Sequence, residues 1–325
     1  MNQHVVDFIP TADPLLRHPR LEYSVEFCVL GLRTLFESNS QYVIDVVGET
    51  FGGWRGQSLD VQAADEVVQV VRVKLIVHDH ADSADVDAPV RHVSTDDGRL
   101  LVHSPGSVAV VDPLRRESRA YVTTTLAGDK AHFREHILEA ITFALLTDFD
   151  RHPVHAAAIA RGGRAILLAA PSGTGKSTIA YLAHRSGIDV LGDDHVWIQR
   201  EPAFRVWGGP LKVRLLADAS GHFPELAGIE PSSRKTTITT GVAHPPCDRA
   251  TVCVMTRGAA VALERVEGSQ LRRELAQQLA PGFDRFAARH DDVVGALTAD
   301  GGWRLTLSNN PSEALPLLER LLEES

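Results

Sequence analysis

Lys176 and Ser177 close the stretch Ala170-Pro-Ser-Gly-Thr-Gly-Lys-Ser-Thr178, and two adjacent acids, Asp193 and Asp194, follow shortly after it. An ammonium, a hydroxyl and a carboxylate pair in this order can do phosphate chemistry. Glycines let the backbone turn tightly and approach an anion closely, so successive N–H groups and the helix start behind them converge on phosphate oxygens. Ser172, Gly173, Thr174, Gly175, Lys176, Ser177 and Thr178 are the candidate cradle, with Lys176 reaching outer phosphates and the Ser177 hydroxyl ligating Mg2+. Ala170 stands where the G-x-x-x-x-G-K-[ST] pattern opens with glycine, so the first turn must be made with a Cβ present. The plainer alternative is a Gly-Ser turn with a surface lysine.

The flanking residues supply the elements that such a cradle needs. Apolar Ala165–Ala170 reads as a strand, Ile179–His184 as a helix, and Ser186-Gly187 as its stop. Ile188–Ile198 then reads as a strand broken by the two acids and resumed. Neighbouring strand side chains point to opposite faces, so Asp193 and Asp194 have different jobs, one facing Mg2+ and the other an incoming hydroxyl. An acidic turn is the alternative, since Gly-Asp-Asp also suits a turn. Upstream, His155 falls in the apolar run Pro153–Ile159, which a Gly162-Gly163 hairpin joins to the loop strand. It is either a group beside the phosphates or a satisfied core histidine. Downstream, the turn Trp207-Gly-Gly-Pro210 leads into Leu211–Leu216, where Lys212 and Arg214 share a strand face. They could clamp phosphates or be solvated strand charges, and Lys235 is a further candidate of the same kind.

His155, the loop Ser172-Gly-Thr-Gly-Lys-Ser177 and the pair Asp193-Asp194 together resemble the catalytic core of the HPr kinase/phosphorylase family, whose fold resembles phosphoenolpyruvate carboxykinase. The resemblance spans about residues 150 to 200. It implies an α/β fold, a P-loop kinase domain of the HPr kinase/PEP carboxykinase-like type; the strand patterns of the first half read as a smaller α+β domain preceding it. It further implies ATP and Mg2+ as cofactors and phosphoryl transfer to a serine-type hydroxyl. Within it Asp193 is the base near the acceptor, Asp194 and Ser177 lie at the metal, and His155 lies beside the reacting phosphate; Lys176 of the loop is a catalytic candidate with them. The glycine-rich second signature of the HPr-specific enzymes is replaced by Val206-Trp-Gly-Gly-Pro-Leu-Lys-Val-Arg-Leu215. The broad family includes tailoring kinases that phosphorylate a serine of ribosomally made peptides such as lasso peptides.

The remainder of the chain is scaffold by this reading. Its 325 residues suggest two domains, and 44% hydrophobic with 23% charged residues can build an ordinary core. A formal net charge of -9 argues against nucleic acid or a membrane surface as partner. No secretory signal and no run of eighteen apolar residues is seen, so a cytoplasmic location is expected. Three cysteines without paired spacing indicate neither disulfides nor zinc. In the first half, Tyr23–Phe36 alternates like a strand, Ser38-Asn-Ser40 caps a helix, and Glu66–Val77 is long and β-branched. Leu100–Val111 reads as a hairpin around Pro105-Gly106, and Ala120–Leu126 as a strand. Asp79–Asp87 reads as an acidic surface loop.

Lys130–Phe149 switches to helical period and is expected to lead into the second domain, giving domains of 1–128 and 129–325. Ala250–Thr256 and Ala260–Arg265 read as paired strands, Ser269–Leu279 as a helix, Trp303–Leu307 as a strand and Pro311–Glu324 as a closing helix. The function expected is an ATP/Mg-dependent kinase acting on a hydroxyl of a peptide, protein or small molecule. Acceptor recognition, or assembly into a homo-oligomer, falls to the N-terminal domain. The alternative is a nucleotide-binding regulatory module with little turnover, and carboxykinase chemistry is a third, weaker reading.

Overall fold

The computed structural model describes residues 6–10, 13, 16–54, 70–79, 89–216, 222–226, 235–240, 243–276 and 287–324. The acidic stretch after Asp79, residues 66–69 of the strand expected at Glu66–Val77, and residues 277–279 of the helix expected at Ser269–Leu279 lie outside the described residues. The chain is a mixed α/β protein that divides into two compact units, Met1–Arg151 and His152–Ser325. Among the described residues no helix is long and apolar enough to cross a membrane.

The N-terminal unit is built on a seven-stranded sheet in the order β1-β2-β3-β7-β6-β5-β4. Its strands are β1 (Tyr23–Val29), β2 (Leu32–Ser38), β3 (Val71–His78), β4 (Arg91–Ser94), β5 (Leu100–Ser104), β6 (Ser107–Asp112) and β7 (Glu117–Thr123). The single alternating run seen at Tyr23–Phe36 is in fact a hairpin. Leu30 and Gly31, with φ of 50° and 76°, make the two-residue turn whose twist suits antiparallel strands. β3 lies between two parallel neighbours, and Leu75, Ile76 and Val77 are buried in succession because both of its faces are covered.

The polar run after β2 is buried, yet its groups are paired. Ser38 Oγ donates to Leu75 O, and the Asn39 side chain exchanges two 2.8 Å bonds with the Val77 backbone. Ser40 caps α1 (Gln41–Phe51) by accepting from Val43 N. Ala120–Leu126 is not one strand: Thr123 accepts from Leu126 N and turns the chain into the short helix α2 (Thr124–Gly128).

The helical run after residue 130 is present as α3 (Lys130–Phe133), a π-helical turn (Arg134–Glu139) and α4 (Ala140–Thr147). It belongs to the N-terminal unit, so the division falls after Arg151 and not near residue 128. The physical reason is where its apolar face goes. Ile137, Ile141 and Leu145 are fully buried, Ser118 Oγ of β7 donates to Ile141 O, and Phe143 packs edge-on against Phe51 of α1.

The C-terminal unit is organised on a six-stranded sheet, β11-β9-β10-β16-β18-β17. The strands of this unit are β8 (His152–Val154), β9 (Ala157–Arg161), β10 (Arg164–Ala169), β11 (Asp189–Gly192), β12 (Val196–Gln199), β13 (Arg205–Trp207), β14 (Leu211–Leu216), β15 (Lys235–Thr240), β16 (Arg249–Arg257), β17 (Ala262–Val266) and β18 (Gly302–Leu307). β10, β16 and β18 run parallel and are covered on both faces. Ile166 and Leu168 of β10 meet α5 (Lys176–Arg185) and α8 (Leu315–Glu324). Ala165, Leu167 and Ala169 belong to the opposite layer with α6 (Gly268–Ala276) and α7 (Ala287–Thr298). Truncating Leu168 to alanine would cost about 2–5 kcal/mol. β16 and β17 do not pair with each other. β18 lies between them, because α6 and α7 carry the chain across and return it parallel to β16.

Candidate active site

The loop leaves the carboxyl end of β10, a central strand, and enters α5 directly. Gly173 and Gly175 take φ of 83° and 121°, a region that side chains with a Cβ rarely adopt. Pro171, Ser172 and Gly173 are exposed, while Thr174, Gly175, Ser177 and Thr178 are partly buried. Gly175 occupies the cap position of α5 without a side-chain cap, so the first N–H groups of a ten-residue helix face the loop. Lys176 is 7% exposed, and its Nζ donates to Ala170 O at 2.6 Å. The ammonium thus ties the last turn of the loop to its first residue, the position where the general pattern has glycine.

Two interruptions of the strands lie opposite each other. β9 belongs to the large sheet, while β8, just before it, belongs to a three-stranded sheet, β13-β12-β8. The chain passes between them at His155-Ala156. β11 pairs with β9, β12 pairs with β8, and the second passage is Asp193-Asp-His195. Gly192 pairs with Ala158, and Val196 pairs with Val154, so the two breaks are in register. His155 is therefore at a junction between sheets, not within a continuous strand as the sequence pattern suggests.

Gly192 is needed for the second break, because a Cβ there would lie 2.4 Å from His195 O. The strand that follows is anchored by a buried pair, Trp207 Nε1 donating to Gln199 Oε1 at 2.7 Å.

The two acids differ sharply in setting. Asp193 is 5% exposed, and its Oδ2 accepts from Arg214 N at 2.8 Å. Burial pushes its pKa above the usual carboxylate range, while the Arg214 N–H and the Ser177 hydroxyl pull it back. Its Oδ1 is buried with no hydrogen-bond partner among the described residues. Asp194 has a half-exposed side chain set between two imidazoles, with Oδ1 3.4 Å from His155 Nδ1 and Oδ2 3.4 Å from His195 Nδ1. The rings of His155 and His195 stand edge-on at 5.2 Å. Desolvation lowers the His195 pKa, and although Asp194 raises it, His155, Arg214 and Lys176 push it further down. His195 had no place among the sequence candidates. The only sequence signal for it is its position directly after the acid pair.

Among the described residues, two places could take a cation. The Asp193 carboxylate, which has one unpartnered oxygen, and the Ser177 hydroxyl that interacts with it form an oxygen donor set that fits Mg2+. His155, Asp194 and His195 offer donor atoms within 4.8 Å of one another, a nitrogen-rich set better matched to a transition metal.

Among the basic candidates, Arg214 reaches the site through its backbone N–H, with its charge felt by both Asp193 and His195. Lys212 lies two residues earlier on β14, partly buried. Lys235 opens β15 opposite Leu216, at the far end of the ribbon from Lys212, and its side chain is outside the described residues. The structure thus brings together residues of the loop, Asp193, Asp194, His155 and Arg214. In the N-terminal unit the charges at Lys74, Glu117 and Arg119 pair with one another on the strand face.

No family model matches the chain, and no curated protein matches it. Among solved structures it is similar to the Hpr(Ser) kinase/phosphatase from Coxiella burnetii, at 10% identity, with 53% of this chain and 88% of that one covered and a TM-score of 0.27.

Proposed function

We propose that the C-terminal unit binds ATP with Mg2+ and transfers the terminal phosphoryl group to a hydroxyl of a peptide, protein or small molecule. The observation that carries this reading is the meeting of the loop end, Ser177 with its neighbour Lys176, and both acids at one strand break. Phosphoryl transfer asks a protein for positioning and charge stabilisation, and these residues supply both. The backbone N–H groups of Gly173–Ser177 hold the phosphates. Ser177 and Asp193 would hold Mg2+, which would neutralise phosphate charge.

The two acids exchange the roles that the family resemblance implies for them. Asp193 is too buried to meet an incoming acceptor, and its carboxylate, with one oxygen unpartnered, interacts with the Ser177 hydroxyl. Asp194 is open to solvent and oriented by His155, so it is placed to take the acceptor proton. As the new oxygen–phosphorus bond forms, the bond to the bridging oxygen of ADP breaks. The hydroxyl proton passes to Asp194, and the negative charge leaves on ADP. Lys176 would turn from Ala170 O to the outer phosphates on binding.

A second reading, a nucleotide-binding regulator with little turnover, is favoured by the bond that commits Lys176 to Ala170 O. The test is calorimetric titration with a non-hydrolysable ATP analogue and Mg2+, followed by ATP consumption with and without hydroxyl-bearing acceptors. Acceptor-dependent consumption supports the kinase. Tight binding with no turnover on any acceptor supports the regulator, and no binding overturns both.

A further inference from the structure

Arg257 lies far along the chain from the loop, so spacing gives no sign of it. It is the last residue of β16, the strand parallel to β10 on the side away from β9. Ala169 pairs with Val254, so Arg257, three residues on, projects from the same carboxyl end of the sheet as the loop that follows Ala169. Ligands of open α/β sheets bind outside this end. The approach is close: a Cβ on Gly175 would lie 3.1 Å from Arg257 Nη2 and 3.2 Å from Leu307 Cδ1.

The guanidinium is also held in place. Its Nη1 donates to Ser308 O at 3.2 Å, and the next residue, Gly258, donates from its backbone to Leu307 O at 2.9 Å. One arm of the planar fork is thereby spent on the scaffold, while the other faces the loop backbone. Among the described residues no carboxylate pairs with Arg257, and the residue is solvent-exposed. A cation fixed at one arm, lacking an anion and resting against the last glycine before Lys176 is suited to a ligand that brings its own negative charge.

We propose that Arg257 is a second cation of the phosphate site, reaching across Gly175 to donate to the phosphates of a nucleoside triphosphate seated in the loop. This rests on the nucleotide-binding reading above. It also gives position 175 a reason to be glycine beyond its backbone angle, since a side chain there would push the guanidinium away.

The experiment is titration calorimetry of wild type, Arg257→Gln, Arg257→Lys and Lys176→Ala with a non-hydrolysable ATP analogue and Mg2+, together with melting curves. Arg257→Gln is expected to bind about ten- to a hundredfold more weakly, the size of a lost hydrogen bond between charged groups, with an unchanged melting temperature. Arg257→Lys should recover part of the loss, because the charge stays while the fork is lost. Wild-type affinity in Arg257→Gln, alongside a loss in Lys176→Ala, would overturn the role of Arg257 and leave the nucleotide reading standing. A weaker Arg257→Gln whose melting temperature falls in parallel, with no recovery by lysine, would make the residue a clamp on Ser308 and also overturn it. Absence of triphosphate binding by wild type would overturn the nucleotide reading, and this role with it.

Discussion

Asp194 Oδ1 lies 3.4 Å from His155 Nδ1, and this contact joins two strand breaks that face each other in the C-terminal unit. Its neighbour Asp193 points instead into the protein, to Arg214 N and Ser177. One step along the backbone separates an accessible carboxylate from a buried one.

The two acids should therefore separate in their effects. Asp194→Asn is expected to leave Mg2+-dependent nucleotide affinity within about twofold and to slow transfer about 10²- to 10⁴-fold, the usual contribution of a positioned base. Asp193→Asn should weaken Mg2+-dependent binding itself. Titration calorimetry and single-turnover rates measure the two quantities. The opposite pattern would return the base role to Asp193.

Asp193 also ties stability to pH. Its pKa is raised in the folded state, so between the ordinary carboxylate value and the raised one the folded protein keeps a proton that the unfolded chain has lost. Stability contributed by this group is full below the unfolded pKa and is lost as pH rises through the folded pKa. Asp193→Asn should accordingly melt higher than wild type at neutral pH, with the gap closing in acid. Mg2+ should raise the wild-type melting temperature and leave the variant unmoved. Melting curves across pH, with and without Mg2+, check both.

His155 has a side chain 29% exposed, so its loss should cost rate more than fold. His155→Ala is expected to slow phosphoryl transfer with nucleotide affinity and melting temperature little altered. A cavity-like loss of about 2 kcal/mol with normal turnover per folded molecule would make it a packing residue.

Gly192→Ala tests the second strand break. The added Cβ meets His195 O at 2.4 Å, so the chain must shift, at a cost of about 1–3 kcal/mol. Because the shift moves Asp194 and His195 as well, turnover should fall in the fraction that remains folded. Chemical denaturation gives the first number, and activity normalised to folded protein gives the second.

Much of the local structure was legible in the chain because the signals were local. Gly162-Gly163, both at positive φ, make the hairpin their composition announces, and Ser40 caps α1 as its type suggests. The strand–loop–helix around Lys176 follows from apolar residues, two glycines and a good helix start in sequence. The hairpin in Tyr23–Phe36 leaves no local signal because one of its two turn residues is Leu30, a residue that rarely accepts positive φ.

What the sequence alone determined is the inventory of the site: a glycine loop ending in Lys176 and Ser177, an acid pair, and a histidine ahead of the loop. What the tertiary structure decided is which of these groups meet and which face water. The alternation of strand faces says that Asp193 and Asp194 diverge, but only the packing of β14 over Asp193 and of His155 beside Asp194 says which one is buried. Likewise the approach of Arg257 to Gly175 arises from parallel pairing of β10 and β16, a contact between residues far apart in the chain that no local pattern encodes.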